Sequence, residues 1–190
     1  MNLPNRLTLA RIIMIPVFVV IFYVEAIPYN FAISAAVFAL AAFTDFLDGH
    51  IARKYNLVTD LGKFLDPIAD KVLVSTALIV MLFPYAAQIL PWYGAIGVAV
   101  ILARELIISG FRMVAASKNI VLAADMSGKI KTFTQDISII VLLCGASFNA
   151  GIYTPTNIVG LVMLGVSVAL TIISGTLCIV KNSAVLKQGN

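Results

Sequence analysis

Charge is what this sequence has least of. Only 12% of its 190 residues are Asp, Glu, Lys or Arg, against 61% hydrophobic, whereas a soluble domain carries roughly 25% charged residues. With a mean hydropathy of +1.03, the chain lacks the polar residues needed to cover a water-soluble surface. Histidine occurs once, as His50, which excludes a histidine triad and a histidine-based zinc site. Cysteine occurs twice, as Cys144 and Cys178, inside apolar stretches and without Cys-x-x-Cys spacing. Both are expected to pack as small hydrophobes and to carry no redox chemistry. Internal repeats and low-complexity linkers are absent, as are basic surfaces with aromatic platforms, so nucleic acid is not an expected partner.

What the chain does have is long apolar runs. Crossing a bilayer takes about 20 residues, and six stretches approach that length: Leu7 to Ala26, Phe31 to Leu47, Ile68 to Ala87, Ile89 to Phe111, Phe133 to Phe148 and Thr156 to Val180. They lack the alternation of barrel strands, and open sheet edges cannot face lipid. The expected fold is therefore all-α, a six-transmembrane-helix bundle forming a single membrane domain over residues 1–190. The first stretch is too long for the apolar core of a signal peptide and is expected to remain as a span. Pro84, Pro91 and Pro155 mark turns, and Pro67 is expected in the first turn of the third span.

Lysine and arginine are missing from three of the connections, EAIPYN, LFPYAAQILP and NAGIYTPTN. All thirteen basic residues fall on the other side, from Arg6 and Arg11 to Lys181 and Lys187. The positive-inside rule makes that side cytoplasmic, with both termini inside. The net charge of +4 then reflects one basic membrane face attracted to anionic lipid headgroups. Lys118, Lys181 and Lys187 read as ordinary anchors of that face.

Against this sparse background, DFLDGHIARKYNLVTDLGKFLDPIAD, residues 45–70, holds most of the acidic residues. Its pattern is D-x2-D-G-x2-A-R-x8-G-x3-D-x3-D, filled by Asp45, Asp48, Gly49, Ala52, Arg53, Gly62, Asp66 and Asp70. Residues three or four apart share a helical face, so Asp45 with Asp48, and Asp66 with Asp70, project as two pairs from adjoining helix ends. Four carboxylates cannot all stay ionised at close quarters without compensation. Divalent cations offer it, and all-oxygen ligands favour Mg²⁺, Mn²⁺ or Ca²⁺ over Zn²⁺. Two such ions would suit phosphoryl transfer. Gly49 leaves room for a phosphate, and Arg53 offers a planar fork for its oxygens. Asp60 lies outside the pattern and is expected in a loop or as a helix cap, and Gly62 in a short connection. The competing reading, a solvated loop of mixed charge, does not explain the helical spacing.

At these eight positions the sequence resembles the CDP-alcohol phosphatidyltransferase family. The resemblance extends to the opening NLPNRLTLARI, while AREL, GFR and SGKIKT look like the branch whose product is phosphatidylglycerol phosphate. It implies a six-helix membrane enzyme, a homodimer, that moves a phosphatidyl group from CDP-diacylglycerol to an alcohol and releases CMP. It implies that Asp45, Asp48 and Asp66 ligate two divalent cations, Mg²⁺ or Mn²⁺, and that Asp70 contacts metal and acts as base. Gly49, Ala52 and Arg53 would face the CDP moiety, with Asp48 and Gly62 on the same side. Asn5, Thr8 and Arg11, spaced by three, either touch the nucleotide or anchor an interfacial helix.

The acceptor is read from the remaining charges. Arg104 and Glu105 sit inside an apolar span, where ionisable residues are costly and point to function. Arg104, Arg112, Lys129 and Lys131 are expected to converge on a dianionic phosphate, with Ser127 at a helix start as ligand or N-cap. Glycerol 3-phosphate carries such a group and is the expected acceptor at the cytoplasmic face of the cell membrane. Glu105 would pair with an arginine; Asp136 is either a buried partner or part of the acceptor site. Phosphatidylglycerol, inositol phosphate or serine as acceptor is the nearest alternative. A divalent-metal transporter is a different class, and it predicts carboxylates spread through the membrane depth, not gathered at one face.

Overall fold

The computed structural model describes residues 3–54, 60–82, 89–117, 126–148 and 154–182; for 3–5, 46–54, 60, 61, 63, 64, 126 and 127 it describes the backbone alone. Six helices follow one another: α1 (Leu3–Tyr23), α2 (Asn30–Lys54), α3 (Asp60–Val80), α4 (Gly94–Ser117), α5 (Met126–Phe148) and α6 (Pro155–Lys181). There is no strand among the described residues. The architecture is all-α, as expected.

Four of the helices are long and apolar enough to cross a membrane: α1, α4, α5 and α6. In α2 the apolar part is the shorter segment Asn30–Asp45. α3 carries Asp60, Lys63, Asp66, Asp70 and Lys71 within its first twelve of 21 residues, which leaves only the remainder, from Val72 on, free of charge.

The helices overrun the apolar stretches that announced them. α2 continues through the aspartates to Lys54, and α3 already begins at Asp60. Gly62 is therefore a buried helical residue of α3, not part of a connection. Pro67 likewise lies inside α3, beyond its first turn. The reason is that apolarity marks what faces lipid or core, whereas a helix ends where its backbone hydrogen bonds end, and charged residues do not break those bonds. At α6 the two boundaries coincide. The Thr154 side chain caps the helix by accepting from the Asn157 N–H at 3.4 Å, and Pro155 follows in the first turn, where its missing N–H costs nothing.

Polarity is distributed inside out. Large apolar side chains line the exterior, among them Val20, Leu40, Ile96, Leu106, Phe133 and Val162, while Thr8, Arg11, Lys131, Gln135, Ser138 and Thr171 are buried. An apolar exterior of this extent suits a protein whose surrounding solvent is lipid. Cys144 and Cys178 are free and half-buried, each against apolar neighbours.

Two close pairings organise the bundle. α1 and α2 share an aromatic cluster of Phe18, Phe22, Phe31 and Phe38. α5 and α6 approach so closely that a Cβ on Gly160 would stand 2.7 Å from Leu142 Cγ, and Ser138 Oγ donates to the Gly160 carbonyl at 2.9 Å. α2 packs on α5, α1 on α3, and α4 mainly on α6. α3 touches α4 and α5 only lightly, which opens a cleft between these three helices.

One end of the bundle carries two exposed aromatic pairs. Tyr29 meets Phe148 at 6.1 Å between ring centroids, and Trp92 meets Tyr93 at 5.7 Å. Such a belt is typical of a membrane–water interface. The basic residues fall towards the other end, whereas Glu25 lies on the aromatic side, between α1 and α2.

Candidate active site

The start of α1 ties two carboxylate-bearing helices together. Thr8 and Arg11 are spaced by three, share one face and are both 0% exposed. Thr8 Oγ1 donates to Asp66 Oδ1 on α3. Arg11 Nη1 meets Asp45 Oδ1 on α2 at 2.7 Å, and its Nε donates to the Ala41 carbonyl at 3.3 Å. Thr8 and Arg11 thus face the interior of the bundle, where their polar groups find partners on α2 and α3, while Leu9 and Ala10 between them are exposed.

The carboxylates gather around this clamp. Asp45 and Asp66 repel each other, and Asp70 feels the negative charge of Asp45. Among the described residues no three acidic, histidine or cysteine side chains close on one point. Asp48 follows Asp45 on α2 at helical spacing, and its side chain lies outside the described residues, as do those of Asn5, Ala52 and Arg53; of Gly49 only the helical backbone is described. The donor set is made of hard oxygen ligands, and repelling carboxylates held side by side by backbone and clamp fit a hard divalent cation.

Beyond Asp70 the cleft between α3, α4 and α5 forms a pocket lined by Asp70, Lys71, Glu105, Lys131, Thr132 and Gln135, with apolar residues behind. A chain of polar contacts crosses it. Lys71 Nζ donates to Ser109 Oγ, which in turn donates to the Glu105 carbonyl. Glu105 Oε1 accepts from Lys131 Nζ and, at 3.0 Å, from Arg104 Nη1. Arg104 Nη2 donates to Ser174 Oγ on α6 at 3.0 Å. Lys71, Arg104, Glu105 and Lys131 each have a partner from another helix or from a neighbour in sequence.

The cations expected from α4 and α5 thus divide. Arg104 and Lys131 come together on Glu105, while Arg112 and Lys129 are exposed. Ser127 lies in the first turn of α5, with its side chain outside the described residues. Lys118 and Lys187 also lie outside the described residues, and Lys181 is exposed at the end of α6. Asp136 faces inward towards Asp70, Asp45 and Lys131. Its Oδ1 is buried without a hydrogen-bond partner among the described residues.

Arg11 and Lys71 carry more of this geometry than sequence reasoning assigned to them, and Gln135 was not singled out at all. The signal for Arg11 was its place three residues after Thr8 inside an apolar run. Lys71 directly follows Asp70, so it looked like one more basic residue of a charged face.

Comparison with known proteins identifies the family. A sequence profile of the CDP-alcohol phosphatidyltransferase family matches residues 1–173. A Bacillus subtilis protein named CDP-diacylglycerol–glycerol-3-phosphate 3-phosphatidyltransferase is 41% identical, covering 100% of this chain and 99% of its own length. A Rickettsia bellii protein of the same name is 42% identical over 92% of this chain and 91% of its own. A Salmonella paratyphi A protein of that name is 42% identical over 75% of this chain and 76% of its own. With the family profile spanning the helices that build the carboxylate cluster and the pocket, the chain belongs to the CDP-alcohol phosphatidyltransferase family.

Proposed function

We propose that the chain transfers the phosphatidyl group of CDP-diacylglycerol to glycerol 3-phosphate, giving phosphatidylglycerol phosphate and CMP. The observation that carries this reading is the pocket in which Asp70 lies beside Lys71 and Lys131, next to the Asp45 and Asp66 carboxylates. An acceptor with a phosphate at one end and a hydroxyl at the other matches a pocket with ammonium groups and a carboxylate. The names of the relatives support the same donor and acceptor.

In this reading Asp70 accepts the proton of the acceptor hydroxyl as that oxygen attacks the phosphorus bearing diacylglycerol. The bond from that phosphorus to the CMP oxygen breaks, and CMP leaves. Asp45, Asp48, Asp66 and Asp70 would hold two divalent cations, Mg²⁺ or Mn²⁺, which when bound would neutralise the donor pyrophosphate and the departing nucleotide. Asn5, Thr8, Asp48, Gly49, Ala52, Arg53 and Gly62 form the CDP-diacylglycerol side. Lys131, with Lys71, meets the acceptor phosphate from the pocket wall, and Arg104, Arg112, Ser127 and Lys129 complete that side from α4 and α5.

The six helices would all span, with both termini and the charged end cytoplasmic, in the cell membrane. The aromatic belt at the opposite end and the one-sided basic residues support this placement. A substrate with acyl tails in lipid and a nucleotide in water then meets the carboxylates without leaving the bilayer. The resemblance to the family supports a homodimer. The test is turnover of purified protein in mixed micelles with labelled glycerol 3-phosphate, against phosphatidylglycerol, inositol phosphate and serine. Label is expected in phosphatidylglycerol phosphate; equal CMP release with glycerol 3-phosphate omitted would refute the assignment.

A further inference from the structure

α6 contributes nothing to the wall of the pocket, yet it holds one of the cations behind it. Arg104 leaves α4 and lies across α6 at Gly175, where a Cβ would stand 3.0 Å from its Cγ and 3.3 Å from its Nε. Ser174 beside it receives Arg104 Nη2 at 3.0 Å. Seated there, Arg104 presents Nη1 to Glu105 Oε1 at 3.0 Å, the same oxygen that accepts from Lys131. Arg104 Nε is buried with no hydrogen-bond partner among the described residues, so the seat is kept by shape at Gly175 and by the Ser174 contact.

We propose that Ser174 and Gly175 are positioning residues for acceptor binding, acting through Arg104 on the Glu105–Lys131 pair; this rests on the acceptor site proposed above. One carboxylate shared between two cations leaves one positive charge in excess, and Lys131 keeps its attraction for a phosphate in the pocket. Once Arg104 is pushed from its seat, Glu105 pairs with Lys131 alone and cancels it, because an ion pair in a low-dielectric interior holds strongly. A methyl at Gly175 would thus press on the arginine that crosses it and require that side chain to shift. The acceptor site extends to a helix that touches no substrate.

The test compares Gly175→Ala, Ser174→Ala, Arg104→Ala and the double variant Arg104→Ala/Gly175→Ala, purified in mixed micelles. Gly175→Ala and Ser174→Ala should each raise KM for glycerol 3-phosphate roughly three- to tenfold, the net scale of one ordinary hydrogen bond, with kcat and KM for CDP-diacylglycerol unchanged. Because both act through Arg104, the double variant should be no worse than Arg104→Ala alone. A merely structural glycine would instead move both KM values and kcat together, or add its effect to that of Arg104→Ala; either result overturns the proposal. Should Gly175→Ala fail to fold, Ser174→Ala adds no volume and decides: an unchanged acceptor KM refutes the seat. If Arg104→Ala itself leaves the acceptor KM unchanged while product still forms, Arg104 has no part in acceptor binding and the seat has no function. If the parent protein does not consume glycerol 3-phosphate, it is the proposed reaction that fails.

Discussion

Replacing Arg11 with alanine tests whether the start of α1 is a clamp. Its guanidinium is buried and spans two contacts on α2, Asp45 Oδ1 at 2.7 Å and the Ala41 carbonyl at 3.3 Å. Exposed ion pairs are worth about 0–1 kcal/mol and breaking a fully buried one costs about 3–5. This pair lies between those limits, because the arginine side chain is 1% exposed and that of Asp45 41%. Arg11→Ala should therefore destabilise the protein by about 2 kcal/mol. The released Asp45 carboxylate also loses its fixed orientation beside Asp66, so turnover should fall together with stability. Arg11→Lys keeps the charge but not the fork, and should recover part of the stability and little of the turnover. Denaturant unfolding in detergent, run beside CMP release at saturating substrates, reads both. An Arg11→Ala protein as stable as the parent, at low and high salt alike, would show that the clamp contributes nothing and that burial here is incidental.

Asp70→Asn keeps the shape of the side chain and removes the base. CMP release should drop by roughly a hundredfold or more with unfolding behaviour unchanged, and ordinary turnover in this variant would exclude Asp70 as base. Lys131→Met keeps the bulk at the pocket wall without the charge, and KM for glycerol 3-phosphate should rise roughly tenfold or more with KM for CDP-diacylglycerol unaltered. Parallel changes in both KM values would place Lys131 elsewhere in the mechanism. Gly160→Ala puts a methyl 2.7 Å and 2.8 Å from Leu142 side-chain atoms and 3.3 Å from its backbone nitrogen. Overpacking of this kind should cost about 1–3 kcal/mol in detergent unfolding, and a neutral result would mean that α5 and α6 separate at little cost.

The helices and the aspartate motif were legible because both are local properties. Apolar runs announce helices in lipid wherever they pack, and spacings of three and four set a shared face without reference to any neighbour. The ends of helices were read less well. Gly62 and Pro67 fell inside α3 and Lys54 inside α2, since composition reports where lipid ends and not where hydrogen bonding ends.

Which charges meet was not legible in the same way. Thr8, Arg11, Lys71 and Ser174 lie on three different helices, and their partners Asp66, Asp45, Ser109 and Arg104 lie far away in the chain. Arg104 and Arg112 look alike in sequence, yet one is drawn to Glu105 and the other is exposed. From the sequence alone come the membrane class, the helices and the carboxylate motif, each set by residues near one another in the chain. The division of the cations, the pocket behind Asp70 and the crossing of Arg104 over Gly175 were decided by tertiary structure, because charge pairing depends on distance in space, and only helix packing sets that distance.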